Sequence, residues 1–203
     1  MIAIIDYGMG NVHSIANMLT HLNIESCITK DADEILSSSH LVLPGVGAFD
    51  QAMNALESLG LVEVIHQFHQ TKKPILGICL GMQLLGKSSE EGVQPGLGLI
   101  SFTNKRFTPD QLWSLRTPHM GWNEVSIVKD IPISQKLIPN SRFYFVHSFY
   151  ATDIASSDVL LTCDYGITFA AGVHKDNVYG VQFHPEKSHA FGMALLEAFA
   201  EVV

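Results

Sequence analysis

The sequence predicts an α/β fold: an open, mostly parallel sheet covered by helices, with a mixed, partly antiparallel extension in the second half. Three observations carry this. The first half alternates short apolar runs with segments of helical periodicity, in the order βαβαβαβα. Its apolar runs do not alternate with polar residues, which is how strands read when helices cover both faces of a parallel sheet. From residues 97–102 onward the helical segments give way to strand candidates joined by short connections.

The first strand is the Ile-rich "MIAIIDYG", ending at Asp6 and Gly8. Residues 11–22 follow as a helix, with Val12, Ile15, Met18, Leu19 and Leu22 on one face and Asn11 placed to cap it. "IESCIT" is the second strand, residues 31–36 a short helix or turn, and "HLVLPG" a third strand that halts at Pro44 and Gly45. Residues 50–70 form one or two helices, with a break expected near Gly60. "KPILGIC" is the next strand, and "LGMQLLGKSSE" opens another helix. In the second half "LGLISF", "GWNEVSIV", "RFYFVHSF", "DVLLTCDYG", "TFAAGVHKD" and "NVYGVQFH" read as strands, with a hairpin turn at "HKDN". The last segment, "AFGMALLEAFAEVV", is a helix with an apolar stripe. No linker, repeat or low-complexity tract divides the chain, so residues 1–203 are expected to form a single domain.

Composition narrows the class. The chain has 203 residues, 47% of them hydrophobic, enough to bury a core without staples. A formal net charge of −8 with no concentrated basic patch argues against nucleic acid as a partner. Three widely spaced cysteines are neither a disulfide framework nor a zinc pattern, and point to a reducing, cytoplasmic setting. The start carries no basic leader, and no apolar run is long enough to cross a membrane. His66 and His69 are spaced as a helical pair, but no third ligand follows in pattern, so no metal is expected.

In an open parallel sheet, sites form beyond the carboxyl ends of the strands. Three loops lie there: "PGVGAF" at 44–49, "GICLGMQ" at 77–83 and "QFHPEKS" at 182–188. Cys79 within G-x-C-x-G has the form of a nucleophile elbow, where small neighbours allow a sharp strand-to-helix turn and the helix start favours a thiolate. A buried core thiol is the alternative. His184 at a strand end, with Pro185 fixing the exit and Glu186 two residues on, supplies a base and its orienting carboxylate; a strand-end histidine with an ordinary polar partner is the alternative. Gly45 and Gly47 permit a loop that aims N–H groups at an oxyanion, or simply a turn into the next helix.

At these loops the chain resembles the triad (class I) glutamine amidotransferases, which share a Cys-His-Glu glutaminase domain. Within them it resembles the glutaminase subunits of imidazole glycerol phosphate synthases. The resemblance rests on "DYGMGN" at 6–11, "LPGVGAF" at 43–49, "GICLGMQLL" at 77–85, "EEGVQPGLG" at 90–98, "PHMGWN" at 118–123, "YFVHSFY" at 144–150 and "QFHPEKS" at 182–188, in the family's order along nearly the whole chain.

The resemblance implies a flavodoxin-like sheet and a glutaminase. Cys79 would attack the side-chain amide of glutamine, His184 would move the proton, and Glu186 would orient His184. The N–H groups of Leu80 and of the loop at Val46 and Gly47 would hold the oxyanion. Gln83, Glu91, His147, Ser148 and Phe149 match glutamine-binding positions; without the family, Gln83 reads as a solvent-facing helix residue and Glu91 as a surface charge. The implied partner is a (β/α)8-barrel cyclase subunit, in a heterodimer that receives the ammonia. Asn11, Trp122 and Lys187 match positions near that interface; otherwise Trp122 reads as a core aromatic and Lys187 as a surface charge. No cofactor is implied. The same motifs also fit paralogues that supply ammonia for sugar amidotransfer in surface-polysaccharide synthesis.

Overall fold

The computed structural model describes residues 1–112 and 114–203. The strands are β1 (Ile2–Ile5), β2 (Ser26–Thr29), β3 (His40–Leu43), β4 (Ile75–Ile78), β5 (Ser88–Ser89), β6 (Thr103–Arg106), β7 (His119–Glu124), β8 (Ser126–Ile127), β9 (Arg142–His147), β10 (Phe149–Thr152), β11 (Val159–Tyr165), β12 (Ile167–Lys175) and β13 (Val178–Val181). The helices are α1 (Val12–His21), α2 (Ala32–Ser37), α3 (Phe49–Ser58), α4 (Leu61–Gln70), α5 (Leu80–Leu84), α6 (Pro109–Leu112) and α7 (His189–Ala200).

The main sheet runs β2-β1-β3-β4-β13-β12-β10-β6-β5, with β11 on β12 and β8 on β11. Its first five strands are parallel, in the flavodoxin-like 2-1-3-4-5 order with β13 as the fifth. β12 and β10 then continue it antiparallel, joined at β12–β13 by the hairpin expected at "HKDN", where Asp176 takes φ 53°. β7 and β9 stand apart as a two-stranded antiparallel ribbon.

Alternation along the parallel strands divides the core into two layers. Ile2 and Ile4 of β1 face the layer built with Ile15 and Leu19 of α1 and Leu195 and Phe199 of α7. Ala3 and Ile5 face Ile35, Leu56, Phe68 and Leu84 from α2 to α5. Burying a side chain such as Phe68 or Phe199 contributes about 1.5–3 kcal/mol, so both faces of the sheet are held by helices. The break between α3 and α4 falls at Gly60, whose φ of 69° suits glycine.

Three expectations need correction. Asn11 occupies the N-cap position of α1, but its side chain makes no capping hydrogen bond. The helix after Cys79 is short, because residues 97–100 fold back onto it: the N–H groups of Leu97, Ile100 and Gly98 donate to the carbonyls of Leu84, Leu85 and Gly86. That same wrap is why "LGLISF" is not a strand; pairing begins at Thr103. Among the described residues no helix is long and apolar enough to cross a membrane.

Candidate active site

Cys79, directly after β4, has φ 55° and ψ −111°, a conformation that is strained for any residue with a Cβ. The surroundings enforce it. Its N–H donates to the Val181 carbonyl on β13 (2.8 Å), and its carbonyl accepts from Gln83 N (3.2 Å). The two flanking glycines are required by space. A Cβ on Gly77 would lie 2.7 Å from the Gly81 carbonyl oxygen, and one on Gly81 would lie 1.9 Å from the Leu43 carbonyl oxygen. The start of α5 is therefore pressed against the end of β3, and the thiol, only 6% exposed, is held at the floor of a cleft.

His184 follows β13 and is 1% exposed. Its N–H donates to Tyr144 O (2.9 Å), which ties the turn 185–187 to the β7–β9 ribbon. Its Nδ1 lies 2.8 Å from Glu186 Oε1, with both side chains buried. Glu186 Oε2 and His184 Nε2 have no hydrogen-bond partner among the described residues. A buried carboxylate with one partner is held best by a cation. Burial alone lowers the pKa of His184, but the Cys79 thiol and the Glu186 carboxylate outweigh it and raise the value to about 9. The third ingredient is the thiol itself, which lines the same cleft.

The loop between β3 and α3 forms the opposite lip. Gly45 is needed for close approach, since a Cβ there would lie 2.8 Å from Gly81 N. Gly47 is needed for conformation, at φ 107°. Tyr7 donates its hydroxyl to Pro44 O (2.7 Å) and steadies the loop from below; burial and nearby Cys79 raise its pKa. Val46, Gly47 and Leu80 all line the cleft with Cys79. As the first residue of α5, Leu80 carries an N–H without a partner inside the helix.

The cleft measures about 310 Å³, a size suited to a small molecule such as an amino acid. Gln83, Glu91, His147, Ser148 and Phe149 line it with His184. Gln83 is buried rather than solvent-facing, its Nε2 shared between Gln182 Oε1 (3.1 Å) and Phe149 O (3.3 Å). Glu91 is exposed, and its Oε2 accepts from Phe49 N (2.9 Å), capping α3 from a distance. His147 is buried, and its pKa is pushed down to about 3, chiefly by that burial. Among the described residues no group of three or more His, Cys, Asp or Glu side chains is placed to hold a metal ion.

The class-I glutamine amidotransferase family profile matches residues 3–202. The chain is 50% identical over 200 residues to imidazole glycerol phosphate synthase subunit HisH 2 of Methanococcus maripaludis, covering 98% of each chain. It is 47% identical over 204 residues to subunit HisH 2 of Pseudomonas aeruginosa, covering 100% of both. The chain belongs to the class-I glutamine amidotransferases, in the HisH family. A crystal structure described as a glutamine amidotransferase shares the fold with a TM-score of 0.77 at 16% identity over 100% of each chain.

In this amidotransferase the three residues expected at a partner interface gather about the turn at 185–187. Trp122 is 42% exposed, so it is no core aromatic; it stacks on His189 with ring centroids 5.5 Å apart. Lys187 Nζ sits 5.6 Å from the centroid of the Tyr144 ring. Asn11 opens α1, which packs against the turn holding Lys187. Met120, on the same strand face as Trp122, is 61% exposed.

Sequence reasoning missed Gln182, His119 and Tyr7. Gln182 is fully buried and points Nε2 at Cys79 Sγ (3.9 Å). A signal existed: a polar residue directly after the wholly buried β13 must find a polar partner inside.

Proposed function

We propose that this chain is the glutaminase subunit of an imidazole glycerol phosphate synthase. It hydrolyses L-glutamine to L-glutamate and ammonia through a Cys79 thioester, and it hands the ammonia to a (β/α)8-barrel cyclase subunit that makes imidazole glycerol phosphate and aminoimidazole carboxamide ribotide in histidine biosynthesis. The observation that carries this is the strained Cys79 elbow opening into a cleft also lined by His184, whose ring is paired with the buried Glu186 carboxylate.

The thiolate attacks the amide carbon, and the C=O pair moves onto oxygen. That oxyanion is received by N–H groups of Leu80 and of the Val46–Gly47 loop. The His184 imidazolium gives its proton to the amide nitrogen, the C–N bond breaks and ammonia leaves, and the carbon remains as a thioester. Neutral His184 then takes a proton from water as hydroxide adds. Collapse releases glutamate and returns the thiolate–imidazolium pair. Glu186 holds the ring through Nδ1 and steadies its charge. Gln83, Glu91, His147, Ser148 and Phe149 hold the amino-acid portion.

The raised His184 pKa gives a pH prediction. Above about pH 9 the His184 imidazolium loses the proton that the leaving nitrogen needs. The kcat/KM profile is expected to fall on the alkaline side of about 9. Glu186→Gln removes a carboxylate that raises this pKa, so that limb should move to lower pH while kcat drops about 10²-fold. An alkaline limb that stays in place would take Glu186 out of the relay. The same shift bears on stability: the folded value lies above the ordinary 6.5, so the contribution is fully present below pH 6.5 and is lost as pH rises through about 9.

The partner and the cytoplasmic setting belong to the same reading. All three cysteines are unpaired, as a reducing compartment requires. The exposed Val46 beside Gly47 is a peptide that can turn between presenting a carbonyl and an N–H to the oxyanion. A partner that favours the N–H orientation activates the site, which is a coupling between two places and two states. Glutamate release at saturating glutamine is expected to be lowest for the chain alone, higher with the cyclase, and higher again, by more than about tenfold, with the cyclase's nucleotide ligand. Three equal rates would reject the coupling. A rise only with a partner acting on a sugar nucleotide would assign the chain to polysaccharide synthesis instead.

A further inference from the structure

His119 and His147 face each other across the β7–β9 ribbon and share a register position. Both are buried, and His119 Nδ1 lies 3.0 Å from His147 Nε2. The other nitrogen of each ring is also engaged: His147 Nδ1 is 2.8 Å from the Phe149 carbonyl, and His119 Nε2 is 3.4 Å from Asn123 Nδ2. Asn123 is itself oriented, because its Oδ1 accepts from Glu124 N (2.9 Å) and its Nδ2 donates to Asp164 O (2.9 Å).

These contacts fix every proton. The Phe149 carbonyl can only accept, so His147 carries its proton on Nδ1 and its Nε2 accepts. His119 therefore carries its proton on Nδ1, and its Nε2 accepts from the amide of Asn123. The chain of donors runs one way: Asn123, His119, His147, Phe149 carbonyl. It admits no charge on either ring, since an extra proton would set two donors face to face. The lowered pKa values, about 4 for His119 and about 3 for His147, both from burial, agree with that.

We infer that His119 is a positioning residue for the cleft: it locks His147 in the Nδ1–H tautomer and so fixes the Ser148–Phe149 segment that lines the pocket. The inference rests on the reading of that segment as the glutamine-binding wall. The Phe149 carbonyl is held from two sides, by His147 and by Gln83 Nε2. The Ser148 carbonyl accepts from Phe107 N (3.1 Å). In a trans peptide the next N–H points the opposite way, so the Phe149 N–H is turned away from Phe107. The Phe149 carbonyl and the His119 donor hold the His147 proton on Nδ1 together; without the His119 donor only the carbonyl does, the Nε2–H form becomes accessible, and the hold on the Phe149 carbonyl weakens. The His119 ring is stacked between Phe145 (centroids 4.6 Å apart) and Tyr165 (3.9 Å), so a phenyl ring can replace its packing but not its proton.

The test compares His119→Phe, which keeps the stacking, with His119→Asn, which keeps a donor near the Nδ1 position. Both are assayed in complex with the cyclase, and the tautomers are read by ¹⁵N NMR of labelled histidine side chains. His119→Phe is expected to raise KM for glutamine about tenfold, the ~1.4 kcal/mol scale of one hydrogen bond, with kcat changed less than about twofold. His119→Asn should recover most of that KM. His147 should show the Nδ1–H form in the wild type and in His119→Asn, and a mixture in His119→Phe. An unchanged KM in His119→Phe, or His119→Asn as impaired as His119→Phe, overturns the inference. So does an Nε2–H form of His147 in the wild type, which decides the matter even if a variant fails to fold. Absence of glutamine turnover in the wild type would instead overturn the proposed function, and the tautomer measurement would still stand by itself.

Discussion

Replacing Cys79 with alanine is expected to abolish glutamine hydrolysis, with a loss on the order of 10⁵–10⁶-fold, as for other removed nucleophiles. The fold is expected to survive. The elbow's geometry comes from its backbone: the N–H bond to Val181 O, the carbonyl bond from Gln83 N, and the glycine contacts on either side. The sulfur's own hydrogen-bond contacts are long, 3.9 Å from Gln182 Nε2 and 4.0 Å from Val146 O, so their loss leaves the backbone that shapes the elbow in place. If the proposed coupling to a cyclase through ammonia holds, ammonium added from outside should still support the cyclase. Glutamate release from Cys79→Ala at a rate near the wild type would end the thioester mechanism.

The second large effect concerns the backbone beneath Cys79. Gly81→Ala places a Cβ 1.9 Å from the Leu43 carbonyl oxygen and 2.9 Å from the Leu43 carbonyl carbon. Neither atom is the end of a flexible side chain, so α5 or β3 must move, and β3 is paired on both edges. The expected cost is about 3–5 kcal/mol, read as a fall in denaturant midpoint, with loss of glutaminase activity even where folded protein remains. Gly98→Ala is the control. That glycine also has positive φ, at 65°, but nothing lies within 4 Å of its added Cβ, so the change should cost only about 1 kcal/mol. Equal midpoints for the two variants would mean that the elbow is not packed against β3 as described.

The parallel half of the fold was legible because each of its strands is a short apolar run and each connection carries a helical stripe, as at Val12, Ile15 and Leu19. The loops at 44–49, 77–83 and 182–188 were legible as a cluster because parallel strands deliver their carboxyl ends to one edge. What could not be read was long-range. The "LGLISF" run has strand composition, yet its N–H groups cap the carbonyls of α5, a demand set by a helix end that lies earlier in the chain. Gln83 reads as a surface residue until Gln182 and Phe149 are brought beside it. Glu91 shows no reason to be near Phe49 until the chain folds. His119 lies in a motif but has no assignable partner until the ribbon sets it opposite His147.

The pairing of β4 with β13 has a consequence for how the molecule is made. Ile75–Ile78 and Val178–Val181 lie side by side in the finished sheet but are separated by about half the chain. During synthesis β4 therefore emerges long before its second neighbour. Until then it is an apolar edge with unpaired backbone groups, the kind of surface on which nascent chains stick to one another. His184 leaves the ribosome later still. A contact spanning so much sequence also slows folding relative to local helix pairing. A chain cut before β13 lacks both the strand that pairs with the second edge of β4 and the residue at 184, so Cys79 and His184 can meet only once that late pairing has formed.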